Sequence, residues 1–359
     1  MINPIDHIIV TIDDKKVGRL ALSPDHLCLF EYDRDWIRSG FSISPFYLPL
    51  KSGVFISRPD PFNGLFGVFN DCLPDGWGKL LIDRWLLSIG INPGNLSPLD
   101  RLSLVGNSGM GALQFHPSQN SDATESALSL DFYAAEIEKI LHNDSEVTSL
   151  DEMINKAGSS GGARPKVLIN INGKEWLVKF RASADPADVG IIEYQYSLLA
   201  KKCGVEMAET SLFEGKYFGT QRFDRVGNKR IHVHSASGLL YASYRLPSLD
   251  YTELMKATLL LTKNITEVEK MFRLMVFNVL IENKDDHARN FSFVYRDGSW
   301  QLSPAYDLLP SDGFNGNHTT TVNGKGKPTL FDCVQVAKLT AYPIKKAEQI
   351  IEEVKTALE

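Results

Sequence analysis

Three polar residues carry the chemistry most readily read from this chain: Asp285, Asn290 and Asp307. The first two stand in the polar burst Asn283-Lys284-Asp285-Asp286-His287-Ala288-Arg289-Asn290. An apolar, helix-like run precedes the burst, and the strand-like Phe291-Ser292-Phe293 follows it. The third residue ends Ser303-Pro304-Ala305-Tyr306-Asp307. An Asp-x4-Asn spacing with a later acid is that of a phosphoryl-transfer site. One Asp orients the acceptor hydroxyl, while the Asn and the second Asp hold Mg²⁺ on the nucleotide phosphates. Mg²⁺ is a hard cation that takes oxygen ligands, and the acceptor hydroxyl needs a carboxylate that no metal has fully claimed. An acidic, solvated loop after a buried helix would carry the same residues. The phosphoryl-transfer reading therefore requires a phosphate cradle and a lysine upstream.

Such a stretch exists. Gly158-Ser159-Ser160-Gly161-Gly162-Ala163-Arg164-Pro165-Lys166 precedes a strand, Val167 to Ile171, and a second strand follows, Trp176 to Phe180. Between them lies Asn172-Gly173, a strong hairpin signal. Glycines let backbone N–H groups approach a phosphate, and a lysine on a neighbouring strand, here Lys179, can neutralise it. No G-x4-G-K-[ST] pattern is present, so this is not a Walker loop; a flexible linker into an ordinary hairpin is the alternative. A helix over about residues 188–203 places Glu193 near its start, as a partner for Lys179 or as a solvated acid. Gly219 to Arg225 ends a strand at which a nucleotide base could hang from backbone groups. The other reading makes Asp224 and Arg225 a structural ion pair.

These stretches need a scaffold. The 359 residues suggest two domains or one two-lobed unit. With 43% hydrophobic and 23% charged residues there is ample core. A net charge of −6 gives no global field that favours nucleic acid. Apolar runs stop short of membrane-spanning length and no secretory leader is visible. Cys28, Cys72, Cys203 and Cys333 are scattered without a C-x-x-C pair, which fits a reducing cytoplasm better than a zinc site or a disulfide framework. Strands are expected at His7 to Ile12, Val17 to Leu22 and Cys28 to Tyr32. A helix is expected over residues 79–89 with Leu80, Leu81, Trp85 and Leu86 inward. Asp71 and Asp75, just before it, read as structural loop residues, with a site role for either as the alternative. Gly106, Gly109 and Gly111 lack the strand-to-helix context of a phosphate loop. His232 and His234 alternate on a strand without a partner at metal-ligand spacing. Residues 249–281 read as helical, 315–327 as a mobile loop, and 344–358 as a charged amphipathic helix. The expected boundaries are 1–120, 121–245 and 246–359.

Together these stretches resemble the HipA family of bacterial toxin serine/threonine kinases, distant relatives of phosphatidylinositol 3/4-kinases. The likeness rests on Ser159-Ser160-Gly161-Gly162-Ala163-Arg164-Pro165-Lys166, the Lys179 strand, the Glu193 helix, Gln221-Arg222-Phe223-Asp224-Arg225, the Asp285 to Asn290 loop and Tyr306-Asp307, with Leu73-Pro74-Asp75-Gly76-Trp77-Gly78 near the start. It implies an α+β, two-lobed kinase-like fold with an N-terminal β-rich subdomain, a mainly helical C-lobe, and ATP between the lobes.

The resemblance implies Asp285 as the catalytic aspartate and Asn290 and Asp307 as Mg²⁺ ligands. ATP contacts are implied at Ser160, Gly161, Gly162, Ala163, Lys166, Lys179, Gln221, Phe223, Asp224 and His287. Glu193 pairs with Lys179 in this reading. Ser159 or Ser160 is the implied autophosphorylation site, where a phosphate would add a charge of about −2 at the loop. A protein Ser/Thr substrate is implied, an aminoacyl-tRNA synthetase in some members. A DNA-binding antitoxin of the HipB type is also implied, with no direct nucleic-acid binding by this chain. Departures are Asp286 where some members have Gly, Gln221 where some have an acid, and Pro165 in the loop. Rival readings are a small-molecule or lipid phosphotransferase and an inert, partner-binding pseudokinase. The intact set Lys179, Asp285, Asn290 and Asp307 weighs against the last.

Overall fold

The computed structural model describes residues 5–119, 129–142, 153–154 and 161–359. The chain divides into two compact units, Met1–Ile191 with Ser211–His232, and Ile192–Thr210 with Val233–Glu359.

The first unit holds two antiparallel sheets. One is built from β1 (His7–Ile12), β2 (Lys15–Leu22), β3 (Cys28–Tyr32), β4 (Val54–Ile56) and β5 (Gln114–His116) in the order β4-β3-β2-β1-β5. Asp13 and Asp14 both take positive φ (46° and 61°), which closes β1 onto β2 in a two-residue turn. Alternation buries Ile8, Val10, Val17, Leu20 and Phe30, and the Phe30 ring packs 5.3 Å from that of Phe69. Each large side chain so buried stabilises the fold by about 1.5–3 kcal/mol.

The second sheet contains β6 (Lys166–Ile171), β7 (Lys174–Lys179), β8 (Thr210–Phe213) and β9 (Tyr217–Gln221) in the order β6-β7-β9-β8. Asn172 and Gly173 are both left-handed (54° and 77°), the turn their types predict. The helix Leu130–Leu141, capped by Ser129, and the helix Gly76–Ser88 bury Tyr133, Ile137, Trp77 and Leu81 in one cluster with Val167, Trp176 and Val178. In the second of these helices the inward face differs from expectation. Trp77 and Ile82 are buried, whereas Leu80 is 36% exposed. The short ribbon β10 (Arg225–Val226) and β11 (Lys229–Arg230) completes the unit.

The second unit is mainly helical. Residues 249–281 form not one helix but two, Tyr251–Thr262 and Ile265–Leu280. Lys263 in left-handed conformation ends the first, and the Asn264 side chain accepts from the Thr266 N–H at 3.0 Å to cap the second. Val268, Met271, Phe272 and Met275 form the buried stripe of the second helix. They share a core with the helices Leu330–Leu339 and Ile344–Leu358. A three-stranded sheet, order β12-β14-β15, joins β12 (His232–Ser235), β14 (Ser292–Arg296) and β15 (Ser299–Leu302). β13 (Leu249–Asp250) pairs in parallel with β16 (Thr320–Thr321). The buried Glu267 carboxylate accepts the Leu302 N–H at 2.7 Å, tying the helix Ile265–Leu280 to β15. All four cysteines are buried free thiols.

Candidate functional site

The helix Ile265–Leu280 delivers the Asp285 loop. Beyond it Glu282 turns left-handed (φ 54°), and the chain closes into a single 3-10 turn, Ala288–Asn290. The Asp285 carbonyl accepts from the His287 N–H and from Asn290 Nδ2, both at 2.8 Å. The residue itself is exposed. The Asp307 segment is stitched to this loop at several points. Asn283 Nδ2 donates to the Asp307 carbonyl at 3.3 Å, Asn283 bridges Ser311, and the Tyr306 hydroxyl donates to the Arg289 carbonyl at 2.7 Å. Asp307 itself is left-handed (φ 60°), a conformation Asp tolerates better than most residues. The structure thus sets the segment that carries Asp307 beside the Asp285–Asn290 loop, within one unit.

Asp286 faces the other way. It is 1% exposed, and its carboxylate accepts from the Tyr251 hydroxyl at 3.0 Å and the Thr319 and Thr320 N–H groups at 3.0 and 3.1 Å; His318 Nδ1 lies 3.0 Å away. Burial pushes its carboxyl up, against the pull of His318, Thr320 and Tyr251. These contacts correct the expectation of a mobile loop over residues 315–327. His318, Thr320 and Val322 are buried, and the segment is hydrogen-bonded to Asp286 and to Asp250. The sequence reading missed Tyr251, Asn278, Asn283 and His318. One available signal was Asn278, a polar residue on the apolar face of a helix.

In the first unit, Gly161, Gly162 and Ala163 lead into β6, and the register sets Lys166 directly opposite Lys179. Lys166 is 5% exposed and its ammonium donates to the Gly161 carbonyl. Gly162 has φ 94°, and a Cβ there would stand 2.5 Å from Lys166 Nζ. Lys179 Nζ lies 5.7 Å from the Phe218 ring centroid. The loop docks on the start of the helix Gly76–Ser88: the Asp75 carboxylate accepts the Gly162 N–H, and the Trp77 N–H donates to the Gly162 carbonyl at 3.1 Å. Ser159 and Ser160 lie outside the described residues.

Asp224, expected at the ATP site, is 2% exposed and fully engaged. It accepts from Arg222 at 2.9 and 2.8 Å, from Arg225 at 2.8 Å and from the Gly111 N–H at 2.8 Å. Burial opposes its ionisation, but the Arg222 and Arg225 guanidinium groups win and hold the carboxyl well below the usual carboxylate range. The structural ion pair is what the geometry displays: Oδ2 accepts three hydrogen bonds and Oδ1 one, from Arg222 Nε. The same cluster accounts for the glycine-rich segment 106–111, whose Asn107, Gly109 and Gly111 carbonyls accept from Arg225 and Arg230. Gln221 and Phe223 flank this cluster, half-buried; Gln221 pairs with Trp176 across the sheet. Glu193 is 4% exposed on the helix Val189–Lys202. His232 Nε2 lies 2.9 Å from the Ile43 carbonyl.

Within the second unit, the exposed Asp285 and the half-buried Asn290 and Asp307 are oxygen-bearing side chains of the kind Mg²⁺ takes. Asn290 Nδ2 donates to the Asp285 carbonyl, which fixes the orientation of its amide and leaves the oxygen as an acceptor. His287 Nδ1 is buried without a hydrogen-bond partner among the described residues. Lys166 and Lys179 are set opposite each other on β6 and β7 of the first unit, with the Lys166 ammonium bonded to the Gly161 carbonyl. Among the described residues no cluster of three His, Cys, Asp or Glu forms a metal cage. A carboxylate and an amide oxygen would hold Mg²⁺ only together with phosphate oxygens and water.

Residues 158–359 match the HipA-like C-terminal domain and residues 8–116 the HipA N-terminal domain, so the chain belongs to the HipA family. The protein Y4dM of Sinorhizobium fredii, whose name carries the word kinase, is 25% identical over 76% of this chain and 69% of its own length. The serine/threonine-protein kinase toxin HipA of Shewanella oneidensis is 24% identical over 78% of this chain and 69% of its own. Among solved structures, HipA of Shewanella oneidensis MR-1, in complex with HipB and operator DNA, has a TM-score of 0.72 at 18% identity, covering 97% of this chain and 88% of that one. The fold is therefore the α+β, kinase-like fold of that family, β-rich towards the N-terminus and mainly helical towards the C-terminus. Among the described residues no helix is long and apolar enough to cross a membrane.

Proposed function

We propose that this protein is an ATP- and Mg²⁺-dependent serine/threonine kinase that modifies a protein hydroxyl. The observation that carries the reading is the stitching of Asp307 to the Asp285–Asn290 loop through Asn283 and Tyr306. It sets an exposed carboxylate, an amide oxygen and a second carboxylate in one region, which are the groups phosphoryl transfer calls for. Asp285 orients the acceptor hydroxyl and takes its proton; Asn290 and Asp307 are the Mg²⁺ ligands. Bound Mg-ATP supplies the electrophilic phosphoryl group. Gly161, Gly162 and Ala163 offer backbone to phosphate, Lys166 and Lys179 offer charge, and His287, Gln221 and Phe223 complete the nucleotide contacts. Ser159 or Ser160 is the autophosphorylated residue. The partner is a HipB-type DNA-binding antitoxin, as the Shewanella complex suggests, and the compartment is the cytoplasm.

The test is intact-mass spectrometry after Mg-ATP incubation, with the phosphosite mapped, on wild type and Asp285→Asn. The variant is expected to transfer roughly 10²–10⁴-fold more slowly with unchanged thermal stability, because Asp285 is exposed. Equal labelling of the two proteins removes Asp285 from the mechanism. Nucleotide binding without turnover in wild type favours the inert, partner-binding reading.

A further inference from the structure

We propose that Asp286 is a positioning residue. Held by Tyr251 and by the segment His318–Thr320, it fixes the Asp285 loop against the Asp307 segment. This rests on the kinase reading for its functional half and on geometry alone for its structural half.

Asp285 and Asp286 are adjacent, yet the first is exposed and the second 1% exposed. The buried carboxylate works as an internal peg. Oδ1 accepts the Thr319 and Thr320 N–H groups at 3.0 and 3.1 Å, and Oδ2 accepts the Tyr251 hydroxyl at 3.0 Å. The backbone is gripped as well: the Asp286 carbonyl accepts Thr320 Oγ1 at 2.5 Å, and the Lys284 carbonyl accepts Thr319 Oγ1 at 3.0 Å. Residues 284–286 are thereby clasped on both flanks of Asp285.

The peg connects onward to the second acid. The Tyr251 hydroxyl accepts from Asn278 Nδ2 at 2.9 Å. Asn278 Oδ1 accepts from Asn283 Nδ2 at 3.1 Å, and the same Asn283 nitrogen donates to the Asp307 carbonyl at 3.3 Å. One buried run of hydrogen bonds thus joins Asp286 to Asp307 by way of Tyr251, Asn278 and Asn283, all within one unit. Tyr251, Asn278, Asn283 and Asp286 are each at most 2% exposed, so water competes little for the bonds among them and their directions are enforced; the last bond, to the half-buried Asp307, is partly open. Tyr251 can do this because it is the first residue of its helix. Its neighbour Asp250 caps that helix and also accepts from Thr321 Oγ1 and the Gly324 N–H, at 2.7 and 2.8 Å.

The experiment uses the full chain and three variants, Tyr251→Phe, Asp286→Asn and Asp286→Ala. Tyr251→Phe deletes one oxygen and keeps the ring, which packs edge-on 5.5 Å from Phe291. Asp286→Asn keeps an acceptor for Thr319 and Thr320. Misplacing a reacting group by about 1 Å costs roughly 10²-fold in rate, so Tyr251→Phe is expected to lower kcat by about ten- to a hundredfold, with KM for Mg-ATP within about twofold. Asp286→Asn is expected to retain more activity than Asp286→Ala. Backbone hydrogen exchange of residues 284–290 is measured in parallel and is expected to quicken at least tenfold in Tyr251→Phe. A folded Tyr251→Phe protein with wild-type kcat and wild-type exchange overturns the proposal. If wild type transfers no phosphate, the kinase reading fails, and the exchange measurement alone decides whether the peg holds the loop.

Discussion

Two buried aspartates, one in each unit, are satisfied by opposite chemistry. Asp224 is 2% exposed and is met by the guanidinium groups of Arg222 and Arg225. Asp286 is 1% exposed and is met by a tyrosine hydroxyl, an imidazole and two backbone N–H groups. Full positive charges overcome desolvation at Asp224 and hold its carboxyl well below the ordinary range. The donors at Asp286 do not, and burial pushes its carboxyl up. The first cluster clamps a glycine-rich segment to the β10–β11 ribbon. The second aims a loop, because hydroxyl and amide bonds are directional where charge attraction is less so.

The comparison breaks most readily at Asp224. Asp224→Ala leaves two largely buried guanidinium groups without their shared carboxylate, and the expected loss of stability is about 3–5 kcal/mol, read by urea denaturation. A loss below about 1 kcal/mol would reduce the cluster to a bystander. Gly76→Ala tests the other attachment of the first unit, the docking of the Gly161–Ala163 loop. Gly76 has φ 42°, and a Cβ would stand 2.5 Å from the Gly162 carbonyl oxygen. About 1–3 kcal/mol is expected to be lost, with a raised KM for ATP; unchanged values would deny the close approach any role.

The smallest effect is the response to acid. Asp224 has a depressed folded pKa, so its contribution is present above the unfolded value near 3.9 and is lost as pH falls toward the folded value. By pH 3.5 the loss from this group is about 0.7 kcal/mol. Asp286, with a raised folded pKa, contributes with the opposite sign and weakens as pH rises. Urea titrations of wild type and Asp286→Asn between pH 7 and 3.5 separate the two; identical slopes would mean that the two carboxyls do not differ as described.

Much of the scaffold was legible because it is local. Asn172-Gly173 has the residue types of a left-handed two-residue turn, and Ser129 caps a helix whose apolar spacing is plain. The break at Lys263-Asn264 was legible too, since Asn264 is a cap residue, but the apolar run on either side masked it. Leu80 was misjudged because apolar residues surround it on all sides of the helical wheel. Only the position of Trp77 and the neighbouring sheet decides which side is inward.

The sequence by itself determined the list of chemical groups: an Asp-x4-Asn loop, a later Asp, a glycine-rich turn and a lysine strand. It could not say which of the adjacent Asp285 and Asp286 faces solvent, nor that Asp224 is paired with two arginines. Identical carboxylates differ only in what surrounds them. Their partners, Tyr251, His318, Thr319 and Gly111, lie between 32 and 113 residues away along the chain, so only the tertiary fold selects them.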